Sequence, residues 1–122
     1  MTARLGLAVA TMVLMVSLHS VAQAPAPAVR DALDVFFLDT EGGQATLLVT
    51  PSRESMLIDT GFAGGRDADR IIAAMKLAGI AVLDYVVITH YHGDQVGGAA
   101  ELAARVPIRH FIDHGPYTVE LQ

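Results

Sequence analysis

The chain has 122 residues, a formal net charge of −5 at neutral pH and no cysteine. Such a length supports one domain at most, and the absence of cysteine excludes both a disulfide framework and a thiolate metal site. Acidic residues number 13 against 8 basic ones, with no Lys or Arg cluster, so there is no basic nucleic-acid-binding patch. Any metal the chain holds must be met by imidazole and oxygen.

A basic start, Met1 to Arg4, leads into an almost unbroken apolar run from Leu5 to Leu18. That run falls short of the roughly 20 residues a membrane span needs, and small residues follow it in "HSVAQAPAPA". Residues 1–24 therefore read as a cleavable secretory signal peptide, with an uncleaved anchor as the alternative. Ser20-Val21-Ala22 or Ala22-Gln23-Ala24 supplies the cleavage signal, and Pro25 favours the first. The expected destination is the periplasm or the extracellular space. Residues 25–32 are Pro/Ala-rich and read as an extended tether, which leaves 33–122 as the domain.

Three short apolar runs open that domain: "LDVFFLD", "ATLLVT" and "SMLIDTG". The "EGGQ" and Pro51-Ser52-Arg53 breaks between them predict an antiparallel meander. Past "GFAGG" the period changes. Ala68, Ile71, Ile72, Met75 and Ala78 fall at helical spacing, with Asp67 as the expected cap and Gly79 as the stop. Asp69, Arg70 and Lys76 make the solvated face of that helix. "VLDYVVIT" is a buried strand, "VGGAAELAARV" a second helix ended by Pro107, and "IRHFIDHG" a last strand. The fold class is thus α/β, or α+β, with a mixed sheet.

Between the buried strand and the second helix lies "THYHGDQVGG". His90 and His92 are two apart, so an extended backbone points both imidazoles to one side, where both reach a single ion, and Asp94 continues that parity. The spacing favours a metal site over a structural polar loop. A divalent ion held by neutral imidazoles lowers the pKa of coordinated water towards about 7 and polarises the bond to be cut.

"FFLDTEGGQATLLVT", "MLIDTG" and "VVITHYHGDQVGG" together resemble the opening of the metallo-β-lactamase superfamily of metal-dependent hydrolases, especially its branch related to the DNA-uptake protein ComEC/Rec2. The resemblance covers about Leu33 to Gly115. It implies half of a four-layer αββα sandwich with helices on one face of the sheet. It further implies that His90 and His92 bind a first metal and that Asp94 binds a second and orients the attacking water. Asp59 would brace the His loop from beneath, and Gly93 and Gly97 would let that loop turn tightly. Zn2+ is the implied ion.

Two departures qualify this expectation. Where the family has a second-metal histidine this chain has Gln95, an oxygen donor that weakens zinc binding and suits Mn2+ or Mg2+ better. The chain also ends before the segments that carry the family's remaining ligands, so the domain reads as truncated on its C-terminal side. Of the later histidines, His110 reads as a surface or packing residue, and His114, at the strand's end, is a candidate to line the cleft. Glu41 and Gln44 read as a polar turn. The leading functional expectation is a metal-dependent hydrolase acting on an ester, amide or phosphodiester bond. The alternatives are an inactive metal-binding remnant of that fold, or a subunit that self-associates through the uncovered face of a half-sandwich.

Overall fold

The computed structural model describes residues 31–116. The expected signal peptide, all but the end of the expected tether, and the segment from 117 onward lie outside the described residues. Among those described, no helix is long and apolar enough to cross a membrane.

The three opening runs form β1 (Asp34–Phe37), β2 (Thr46–Val49) and β3 (Ser55–Ile58), paired antiparallel in the expected meander. A helix, α1 (Arg66–Ala78), then crosses to β4 (Leu83–Val87), which adds parallel to β3. Two short helices, α2 (Gly93–Val96) and α3 (Ala99–Ala103), cross again to β5 (Ile108–Ile112), parallel to β4. The result is one mixed five-stranded sheet in the order β1-β2-β3-β4-β5.

Register explains which strand positions became core. Phe36, Leu47, Leu57, Val86 and Phe111 lie in one row across the sheet, and the three central members are fully buried. Ala68, Ile71, Ala74 and Met75 of α1 and Leu102 of α3 complete the cluster on that side. Each fully buried Leu or Ile contributes about 1.5–3 kcal/mol from apolar surface withdrawn from water. The adjacent row on the opposite face, Val35, Leu48, Met56, Tyr85 and His110, has no helix over it among the described residues. Phe37, beside that row, is 84% exposed. Among the described residues helices therefore cover one face only, as the resemblance implied. His110 is exposed on the open face with its ring stacked on Tyr85 at 5.2 Å, in the packing role expected of it.

The ends of α1 correct one expectation. Asp67 does not cap the helix: it is buried within the first turn, where Oδ2 accepts the Phe62 N–H at 2.8 Å and Oδ1 accepts Arg66 Nε at 2.8 Å. The N-terminal amides are met from another element. The Glu101 carboxylate of α3 accepts the N–H groups of Gly64 (2.9 Å) and Gly65 (3.0 Å). A capping residue is normally sought next to its helix in sequence, and this one is 36 positions away. At the other end Gly79 takes the left-handed conformation, as expected, and Ile80 N–H bonds to Met75 O at 2.9 Å. Arg53 Nη2 adds a bond to Ala78 O at 2.7 Å.

A second correction concerns the helix after the motif. The single "VGGAAELAARV" helix is two pieces, and the first begins three residues earlier, at Gly93. His92 O accepts both the Gln95 and Val96 N–H groups at 3.0 Å, so the chain coils directly after the second histidine. Asp94 and Gln95 consequently sit on a helical turn and do not continue an extended parity.

The parallel β3–β4 junction is locked at the end of the sheet away from the histidines. Asp84 Oδ2 accepts the Ser55 N–H (2.8 Å) and Oγ–H (3.0 Å), and Oδ1 pairs with Arg109 at 2.5 Å. The Ser55 backbone N–H is the main cause that holds the Asp84 carboxyl below its ordinary range. A carboxyl whose folded value is lowered stabilises the fold above its unfolded value, about 3.9, and that contribution is lost as pH falls through the folded value. Urea titrations should therefore show Asp84→Asn less stable than the parent at neutral pH, with the gap closing on acidification. A gap constant from neutral pH to about pH 3 would contradict this assignment.

Candidate functional site

The site is built at the C-terminal ends of β3 and β4, where the parallel strands release their chains side by side. Asp59 N–H bonds to Val87 O at 2.8 Å, extending the β3–β4 pairing one step past β3. The backbone then turns at φ 58, in the left-handed region that Asp tolerates better than most residues. This turn buries the carboxylate, which is 1% exposed.

A buried carboxylate needs donors, and both come from Thr89. Its N–H reaches Asp59 Oδ1 at 2.8 Å and its hydroxyl reaches Oδ2 at 2.7 Å. The same hydroxyl lies 3.0 Å from His90 Nδ1. The Thr89 hydroxyl gives its one proton to Asp59 Oδ2, so its oxygen is left to accept from His90 Nδ1–H. The relay therefore assigns the proton of His90 to Nδ1 and leaves the Nε2 lone pair facing outward. Thr89 was not singled out in the sequence, although its place directly before His90 in "ITHYH" is the signal that marks it.

The rings of His90 and His92 meet edge to face with centroids 4.7 Å apart. His92 is exposed and His90 half-buried. Tyr91, between them, turns the other way. It packs against the core, its hydroxyl donates to Gly115 O at 3.3 Å and bonds the Asp113 side chain, and its ring tilts on His114 at 4.6 Å. The Gly115 N–H first, then the Tyr91 hydroxyl, holds the Asp113 carboxyl below its usual range. His114 is thus an exposed residue resting on the motif loop, reached through Tyr91.

The loop is fastened from three further directions. Thr60 N–H and Oγ both bond to Gln95 O, at 2.6 and 2.9 Å. Gln44 N–H bonds to Asp94 O at 3.0 Å, so the "EGGQ" turn reaches the site through its backbone. Gly97 packs so closely that a Cβ there would meet Gly93 O and the Ala63 N. Gly93 itself has open space around it, so of the two glycines only Gly97 is required by close packing.

In kind, these donors fit a divalent ion. His90 presents a free Nε2 with its other nitrogen anchored, the arrangement that metal-ligating histidines use. Gln95 Oε1 is the one buried side-chain oxygen or nitrogen among the described residues that lacks a partner, an unsatisfied atom of the sort met by a water or an ion. The structure brings His90 and His92 together. Among the described residues it does not gather three or more His, Asp or Glu side chains around one point, and Asp94 stands outside the pair.

Asp59→Asn tests the relay. An Asn Nδ2 donates to the Thr89 hydroxyl, the hydroxyl then donates to His90 Nδ1, and the ring proton moves to Nε2, as happens when a buried Asp that orients a catalytic histidine is made Asn. Long-range 1H–15N spectra of the imidazoles should report an Nδ1–H tautomer for His90 in the parent and Nε2–H in the variant. The same tautomer in both would contradict the relay.

A sequence profile of the metallo-beta-lactamase superfamily matches residues 39–120. Among characterised proteins, the chain is 34% identical over 65 residues to a lactamase-like protein of Pestalotiopsis microspora, which covers 53% of this chain and 20% of that one. It is 32% identical over 73 residues to a hydroxyacylglutathione hydrolase of Dechloromonas aromatica, covering 60% and 25% respectively. It is 35% identical over 65 residues to an atrochrysone carboxyl ACP thioesterase of Aspergillus terreus, covering 53% and 20%. The matches thus span between a fifth and a quarter of each relative's length. With its mixed sheet, one-sided helices and His motif at the strand ends, the chain belongs to the metallo-beta-lactamase superfamily.

Proposed function

We propose that this chain is the metal-holding part of a metal-dependent hydrolase, with His90 and His92 as ligands and Asp94 on the helical turn that follows them. The observation that carries the reading is the Asp59–Thr89–His90 relay, which leaves His90 Nε2 free while the edge-on ring of His92 stands 4.7 Å away. A bound divalent ion, zinc being the choice for imidazole donors, would supply Lewis acidity and acidify water. The chain's own residues would do the remainder. Asp59, through Thr89, fixes the imidazole orientation. Asp94 has no side-chain hydrogen bond or ion pair among the described residues and so is free to accept a proton from the attacking water. The names of the relatives, a hydrolase and a thioesterase among them, support bond hydrolysis as the reaction class.

A second reading has its own support. The orphaned Gln95 Oε1 is buried, so it is not offered to an open cleft, and a second metal would lack the family's imidazole. On this reading the domain binds one ion without turnover, or acts only once a further polypeptide segment, from the same chain or a partner, packs on the open sheet face and adds ligands. A place among ComEC/Rec2-like proteins and export through the N-terminal leader belong to the same proposal.

The test is hydrolysis of p-nitrophenyl acetate and of an acyl thioester by the full chain with added zinc or manganese. The leading reading predicts turnover that a chelator abolishes and that His90→Ala lowers by about 10²-fold or more. Tight zinc binding without turnover would favour the second reading. Turnover indifferent to chelator and to His90→Ala would contradict both.

A further inference from the structure

We propose that Phe62 sets the substrate class of this site as a neutral carboxylic ester or thioester whose apolar part packs on the Phe62 ring. This rests on the hydrolase reading and deepens it. Phe62 is 41% exposed, yet its backbone is immobilised. Its N–H is held by Asp67 Oδ2 at 2.8 Å, and its carbonyl carbon would lie 3.0 Å from a Cβ on Gly97. An exposed aromatic ring on a fixed backbone loses little entropy when a ligand covers it.

The ring also lies beside the motif. A Cβ placed on Gly43 would stand 2.5 Å from the Asp94 backbone O and 3.2 Å from Phe62 Cε2, so the "EGGQ" turn and the Phe62 ring meet the motif at the Asp94 backbone. No side chain other than hydrogen fits between them. The apolar surface of Phe62 therefore borders the motif helix at its Asp94 backbone.

The surrounding charge argues against the anionic alternative. Among the described residues, Arg66 pairs with Glu41 and Asp67, Arg70 with Asp39, Arg105 with Asp69, and Arg109 with Asp84. Arg53 caps α1, and Lys76 lies in the last turn of that helix, at the same remote end. Among the described residues no arginine is left over for a phosphate at the site. Asp94 at the site and the net charge of −5 would also repel a phosphodiester.

The test is ligand-observed saturation-transfer NMR on the zinc-loaded full chain. The probes are N-methylhexanamide, an unreactive neutral stand-in for the ester, and dimethyl phosphate. The amide should bind, with dimethyl phosphate at least about tenfold weaker. Phe62→Ala should weaken the amide by about fivefold or more, and Phe62→Leu by less, as expected when one to two methylenes' worth of apolar contact is lost. Equal amide binding by Phe62→Ala and the parent, no amide binding, or phosphate binding as tight as amide binding would overturn the proposal. A chelator-treated sample separates the two claims. Phe62-dependent amide binding indifferent to zinc would leave the Phe62 assignment standing and count against the metal-dependent reading. Zinc-dependent amide binding indifferent to Phe62 would do the reverse.

Discussion

The site depends on one buried carboxylate. Asp59 is almost wholly withdrawn from water at the end of β3, and a charge in that position is tolerable only with donors aimed at both oxygens. Thr89 supplies both, and it stands at the end of the neighbouring strand. The parallel β3–β4 pairing therefore has a chemical consequence beyond the sheet itself. It brings Thr89 onto Asp59 and so orients the first histidine of the motif. Losing one partner leaves the other buried and unsatisfied, at a cost of about 1–3 kcal/mol or more for a charged group.

The two ends of the sheet divide the work between them. At one end Asp84, Ser55 and Arg109 tie β3, β4 and β5 together, and Arg53 closes α1. At the other, the backbones of Gln44, Thr60 and Gly97 hold the motif helix from three sides. A histidine pair on a loop so fastened loses little freedom on meeting a ligand, which is the physical basis of preorganisation. Among the described residues the helices bury one face of the sheet, while Val35 and Phe37 are exposed on the other.

Much of this was legible in the sequence because it is local. Alternating apolar runs with Gly and Pro breaks give the meander, and the 3.6-residue spacing from Ala68 to Ala78 gives α1 with its Gly79 stop. The His-x-His spacing marks the site. What escaped is tertiary. Glu101 caps a helix 36 residues away, and a sequence window places Asp67 there instead. The coil at Gly93 follows from the contacts made by Thr60 and Gln44, which extended parity does not foresee. Thr89 carries no signature of its own until Asp59 is known to lie beneath it. Phe62 looks like an ordinary loop residue until Gly43 and Asp94 meet it.

The central claim is that His90 and His92 hold one ion together. Zinc K-edge X-ray absorption on the full chain loaded with one equivalent tests it directly, because imidazole ligands give an outer-shell pattern with Zn–N near about 2.0–2.1 Å. The parent spectrum should show two imidazoles and that of His92→Ala one. A shell of oxygen alone, or a spectrum unchanged by that substitution, would contradict it.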